Sequence, residues 1–229
     1  MTFGTWTSYD LSDFLLFSGR VYWRMYAAYN EAMWPAHIVL ILGGAALIAG
    51  LLRPGRLHSR LSLLGLAAVW VLIAWAFFGE TYQTINWAAA YIVPLFLVQA
   101  MLLAIAALWP TPPRLALPVG FIGAFALSVL AVAVFAYPFL AWVTGQAWQS
   151  GEVFGLTPDP TAIATLAVTA CLRGPVRWLL MIVPLLWCAA TGLTLHALGA
   201  PHFFVAPALG LAALLASGIA SPPLNRPAA

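Results

Sequence analysis

Four sets of side chains in this sequence have the chemistry to bind a ligand or a metal. The first is Phe78-Gly79-Glu80-Thr81-Tyr82-Gln83-Thr84-Ile85-Asn86-Trp87. Here a carboxylate, a phenol and two amides could converge on a small solute. The same stretch fits an interfacial turn anchored by Tyr82 and Trp87, with Thr84 capping the next helix. The second is Glu152-Val153-Phe154-Gly155-Leu156-Thr157-Pro158-Asp159-Pro160-Thr161. An Asp before a Pro at the first helical position is a strong helix start. If that start lies below a membrane surface, its free amides point into a polar cavity, as half-helix ends do in substrate sites. Asp159 could instead satisfy those amides itself.

The third set is His37, His196 and His202. A bis-histidine haem or a metal needs two of them facing each other, and His196-x5-His202 matches no familiar ligand spacing. His58 reads as a loop residue. The fourth is Arg20 and Arg24, one helical turn apart. They can pair with Asp13, Glu31 or Glu80, or hold an anionic headgroup or substrate.

Other chemistry is excluded by composition. The nine basic residues are all arginine, so no lysine amine exists for a Schiff base. Cys171 and Cys188 form no Cys-x-x-Cys pair and read as small buried hydrophobes. There is no Ser-His-acid set, Walker loop, glycine-rich nucleotide loop or HExxH. No cofactor is evident beyond the haem or metal that the histidines could hold.

These residues must be positioned by membrane helices. The chain is 64% hydrophobic and 7% charged over 229 residues, whereas soluble domains carry about 25% charged residues. Composition therefore predicts an all-α membrane protein whose first partner is the lipid bilayer. The net charge of +3 does not point to nucleic acid, because the arginines are scattered singly between apolar runs and read as topology signals.

The apolar runs divide the chain into residues 1–33, an interfacial amphipathic segment; 34–221, a transmembrane bundle; and 222–229, a cytoplasmic tail. In the first segment aromatic and charged residues interleave at helical spacing. Ser12 or Asp13 could cap that helix, and Ser18-Gly19 could break it. Seven spans follow, at about 34–52, 61–79, 85–109, 115–141, 160–172, 176–198 and 202–220. The fifth is short. Its thirteen residues make about 20 Å of helix, against a hydrocarbon core of about 30 Å. It either turns back, or crosses with Val153–Pro158 entering as extended chain. Full crossing puts Arg53, Arg56, Arg60, Arg114, Arg173, Arg177 and Arg226 on one side, with Arg20, Arg24 and all six acids on the other. The positive-inside rule then favours seven crossings, with the N-terminus out and the C-terminus cytoplasmic.

No acid or arginine falls in the middle of a span, which argues against a pump or a proton-coupled carrier. Gln99, Ser128, Thr165, Thr169, Thr191 and Thr194 are the polar groups within spans, and such groups commonly join helices. Gly43-Gly44, Gly120-x-x-Gly123 and Gly192 suit close helix packing. No internal repeat is visible.

Several stretches together resemble an uncharacterised family of bacterial multi-pass membrane proteins, a domain of unknown function. They are Leu11–Ser18 with Arg20, Tyr22 and Arg24; Tyr29-Asn30 and Trp34-Pro35; Trp75-Ala76-Phe77; Thr84–Ala89; Val153–Thr161; and Pro184–Cys188. The resemblance implies a bacterial inner-membrane protein and supplies no activity. Three functions stay open. One is a small-solute binding or transport module, its outward site drawn from Glu80, Tyr82, Asn86, Trp87, Asp159, Arg20 and Arg24. Another is an accessory subunit of a larger respiratory or photosynthetic complex, with other membrane subunits as partners. The third is an enzyme acting on lipid or quinone through His37, His196 or His202.

Overall fold

The computed structural model describes residues 16–53 and 55–219. The expectations placed on Asp10, Ser12, Asp13, Arg226 and the 222–229 tail lie outside the described residues. Those described form nine α-helices: α1 (Gly19–Ala32), α2 (Ala36–Leu52), α3 (Arg56–Leu72), α4 (Ala89–Leu108), α5 (Phe121–Ala131), α6 (Phe139–Val143), α7 (Pro158–Ala170), α8 (Val176–Ala197) and α9 (Val205–Ile219). α3 continues as a π-helical stretch, Ile73–Thr81, and a short turn, Tyr82–Thr84; α5 continues likewise through Val132–Ala136. Among the described residues there is no β-sheet, only two isolated bridges.

Three stretches are long and apolar enough to cross a membrane: Arg56–Thr84, Ala89–Leu108 and Val176–Ala197. A fourth counts if α1 and α2, which meet at 90°, form one broken span. This corrects the expectation of seven. The remaining apolar segments fold into helices too short to count by length. Prolines set the breaks. Pro110, Pro112, Pro113 and Pro118 keep the chain before α5 out of helix, since a proline ring cannot donate and excludes helix from the preceding residue. Pro138 follows the π-helical end of α5.

α1 starts later than residue 10 would place it. Ser18 is its N-cap and accepts from the Val21 N–H at 3.4 Å, so the Ser18-Gly19 pair marks its start. Its buried residues are Tyr22, Met25, Tyr26 and Tyr29, spaced three and four apart to form one stripe. That stripe lies across the bundle end. Tyr26 and Tyr29 meet Phe77 with ring centroids 5.2 and 5.3 Å apart, and the Tyr29 hydroxyl donates to the Leu156 carbonyl.

The deepest chain is residues 150–172, buried without interruption. All thirteen residues of α7 are buried, with α3, α5, α8 and α9 packed around them. Thr157, Thr161, Thr165 and Thr169 each donate to the carbonyl four residues earlier. The hydroxyls are thereby satisfied within the helix, so it can sit among apolar neighbours without stranded donors. Trp70 Nε1 donates to Thr165 Oγ1 at 2.9 Å, and Gln99 Nε2 to the Leu180 carbonyl at 2.9 Å. These are the interhelical bonds expected of polar groups within spans.

α7 runs between the two ends of the bundle. At its C-terminal end the Arg173 N–H donates to the Arg114 carbonyl, and Ala116 N–H to the Cys171 carbonyl. Leu115 N–H donates to Ser59 Oγ, and Arg60 donates to the Trp109 carbonyl. The start of α3, with Arg56 and Arg60, and the connections carrying Arg114 and Arg173 therefore meet at one end. The start of α7 lies at the other, beneath α1. Gly44 and Gly192 do pack closely, against Val134 and Pro207, but nothing approaches Gly43 or Gly120.

Candidate functional site

Two polar features occupy the α1 end of the bundle, separated by the segment 148–153. The inner one is built on the start of α7. Pro158 and Pro160 have no N–H, so Asp159 supplies the only main-chain donor among the first three helical positions. The Glu152 carboxyl accepts from that N–H. Asp159 is not the cap: its side chain turns to other helices. Trp187 Nε1 donates to its Oδ1 at 2.7 Å, Thr191 Oγ1 to Oδ2 at 3.0 Å, and the Tyr137 hydroxyl to Oδ2 at 3.3 Å. Burial pushes the Asp159 carboxyl up to about 6, and the bonds from Trp187, Thr191 and Tyr137 hold it down against that, keeping it ionised at neutral pH.

The approach to α7 is folded to suit. Gly155 takes φ +81°, a left-handed conformation that glycine adopts freely. Its N–H donates to Thr161 Oγ1 at 2.8 Å, and the Leu156 and Thr157 N–H groups both return to the Val153 carbonyl. The extended chain beside α7 thus keeps its polar groups paired while buried, the condition under which irregular backbone is tolerated at depth.

Glu152 lies in the connection between α6 and α7 and is 5% exposed. Its Oε2 is buried with no partner. Burial first, and then the Asp159 charge, hold its carboxyl well above the usual carboxylate range. His202, in the α8–α9 turn, is also 5% exposed, and its Nδ1 is likewise buried without a partner. Burial lowers its pKa. Both side chains line a cavity of about 10 Å³, with Trp23, Tyr137 and Ser150. Tyr22, Tyr26, Phe77, Phe78 and Tyr82 form an aromatic roof beside it.

The outer feature is an open groove of about 830 Å³ between α1, the start of α2 and the 148–153 segment. Arg24, Asn30, Glu31, His37 and Gln149 supply its polar groups, and Trp34 and Trp148 its indole walls. Asn30 Nδ2 donates to the Gln149 and Gly151 carbonyls at 2.7 and 2.8 Å, fastening α1 to that segment. Its Oδ1 stands 3.4 Å from His37 Nε2. Among the described residues neither Arg20 nor Arg24 forms an ion pair with Glu31 or Glu80.

The residues singled out from sequence are therefore divided. Arg24 lines the groove. Asp159 and Tyr82 are buried in the inner cluster. Arg20, Glu80 and Trp87 are exposed and line neither feature, and Trp87 stacks edge-on with Tyr91. Asn86 Oδ1 accepts from the Ala88 N–H in the turn before α4; Thr84 does not cap that helix, whose N-cap is Ala88, but bonds the Thr81 carbonyl. The histidines stand apart: His37 faces Asn30, exposed His196 lies against Phe203, and His202 against Trp23. Among the described residues no three His, Cys, Asp or Glu side chains gather as a metal would require.

Sequence reasoning passed over Glu152's role, Asn30 as a fastening residue and Gln149, and gave Glu31 only as an ion-pair partner for Arg20 or Arg24. The signal for Glu152 was present. Two prolines at the helix start leave a single free amide, which an acid seven residues upstream can reach by a turn at Gly155.

A family model for a family of unknown function, DUF6064, matches residues 19–218. The chain belongs to that family. No curated protein and no solved structure matches it. The match starts at Gly19, the first residue of α1, and runs to Gly218 in the last turn of α9. The family unit therefore includes α1, both polar features and the arginine end.

Proposed function

We propose that this chain is a bacterial inner-membrane protein that binds a small polar solute in the groove under α1, on the side away from the cytoplasm. The groove's size carries the reading: about 830 Å³ falls in the range of small-molecule sites, about 300–1,000 Å³. Its chemistry supports the same conclusion. Arg24 and Glu31 sit seven residues apart on one helix, about 10 Å along its axis, so the groove offers one cation and one anion. His37 adds a buried Nδ1 with no partner, and two tryptophans supply flat apolar walls. A solute with a charge of each sign, or an anion with an apolar body, fits this arrangement.

The orientation follows from the arginine-bearing connections meeting at the opposite end, which the positive-inside rule assigns to the cytoplasm. The test is a thermal-shift screen of the full chain in lipid nanodiscs against amino acids, carboxylic acids and amines. Ligand at a hundred times its Kd stabilises by about 2.7 kcal/mol, which is readily seen. A hit abolished by Arg24→Gln or Glu31→Gln supports the groove. The absence of any shift, together with other polypeptides retained on the protein in native mass spectrometry, favours the accessory-subunit role instead.

A further inference from the structure

We propose that Glu152 and the cavity beside it form a proton-binding site, in which Glu152 holds one proton and a single water links it to His202. The site is separate from the solute groove and does not depend on it.

The geometry assigns the proton. Glu152 and Asp159 are both buried, and the Glu152 carboxyl touches the Asp159 main chain. Two carboxylates this close and this dry cannot both remain charged. Asp159 has three side-chain donors on its two oxygens, which favour its ionised form. Glu152 has one main-chain donor, leaving Oε2 with none. The proton therefore belongs on Glu152 Oε2, where a hydroxyl can donate into the cavity.

The cavity is suited to receive it. A volume of about 10 Å³ is enough for one water, which needs two to four polar partners. Glu152 and His202 both line this space, and each carries a buried atom without a partner, Oε2 and Nδ1. Tyr137 and Ser150 are the other residues with polar side chains in its lining. Proton transfer along this path breaks the Oε2–H bond and forms an N–H bond at His202 Nδ1, the water receiving one proton and passing on another. The reverse step reloads Glu152.

Other titratable groups surround the pair. Tyr22 and Tyr26 from α1 and Tyr82 from the end of α3 are phenols on the roof, Tyr137 stands beside both acids, and Cys188 of α8 lies near Asp159. All are neutral at physiological pH in so buried a setting. Arg24 is exposed, on the groove side. The pair's own net charge is thus the one that a proton must offset.

The experiment is infrared titration of the full chain in nanodiscs. A protonated carboxyl gives a carbonyl stretch separate from the amide bands, and it shifts in D2O. The wild-type protein is expected to show this band at neutral pH, to lose it on alkaline titration, and to shift it on transfer to D2O. Glu152→Gln should remove it, and Asp159→Asn should move its titration to lower pH by removing the neighbouring charge. His202→Phe should slow the D2O shift at least tenfold. No band in the folded wild type overturns the proposal, as does a band that survives Glu152→Gln or one that disappears on adding sodium. The wild-type titration and D2O exchange need no variant, so misfolding of any variant does not remove the test.

Discussion

The Asp159 carboxylate joins three helical elements, and its loss should be graded by donor. Trp187 Nε1 gives the shortest bond, 2.7 Å, Thr191 follows at 3.0 Å, and Tyr137 is longest at 3.3 Å. Hydrogen bonds to a charged group contribute about 1.5–3 kcal/mol each, whereas neutral interhelical bonds in a membrane protein average about 0.6 kcal/mol. Trp187→Phe and Thr191→Val should each cost about 1.5–3 kcal/mol, and Tyr137→Phe less. Asp159→Ala strands all three donors at about 1–3 kcal/mol apiece, so its cost of roughly 3–9 kcal/mol should be the largest in the series. The assay is reversible unfolding in mixed micelles by added denaturing detergent, followed by circular dichroism. A double-mutant cycle isolates the pair: Thr191→Val should have little further effect once Asp159→Asn is present. A coupling of about 0.6 kcal/mol or less between Asp159 and both Trp187 and Thr191 would refute the reasoning, because the acceptor would then not be a charged carboxylate.

The remaining predictions use the same stability assay. Glu152 has its pKa raised on folding, above about 4.3 in the unfolded chain. The folded state thus binds more protons at Glu152, and its contribution to stability falls as pH rises from the unfolded value of about 4.3 through its raised folded pKa. Glu152→Gln should flatten that slope and raise the unfolding midpoint at neutral pH; an unchanged slope would count against a buried acid. At Gly192 an added Cβ would run into Pro207. Gly192→Ala should therefore cost about 1–3 kcal/mol through overpacking, while Gly43→Ala, with nothing nearby, should be neutral or slightly stabilising. Asn30→Ala removes two bonds to the 148–153 segment. It should speed hydrogen exchange at Gln149–Gly151 and weaken any solute bound in the groove, leaving exchange in α7 unchanged.

Much of the scaffold was legible without coordinates. Low charge and long apolar runs point to apolar helices, three or four of them long enough to cross a membrane; prolines mark some of the ends, while Pro94 and Pro184 lie inside α4 and α8. The short fifth apolar helix is present, but it begins at Pro158, two residues before the Pro160 that the Asp-Pro pattern indicates, and the arginine-bearing segments gather at one end. The number of full-length spans was not legible. Hydropathy measures apolar composition, but helix length also depends on where prolines and π-helical turns interrupt it, as around Pro138.

The site was only half legible, for a physical reason. α2 and α4 are apolar on every side, so no polar stripe shows which face meets a neighbour, and helix rotation cannot be read from periodicity. Sequence alone placed Glu80, Asn86, Asp159 and Arg20 at one end of the bundle. It could not show that Asp159 turns inward to Trp187 and Thr191 while Glu80 stays exposed. Nor could it show that an acid outside every apolar run, Glu152, is carried into the protein by the turn at Gly155. Composition and proline spacing determined the class of protein and the ends of its helices. Side-chain packing between helices decided which acids are buried together, because burial and proximity are properties of the assembled bundle and not of any one segment.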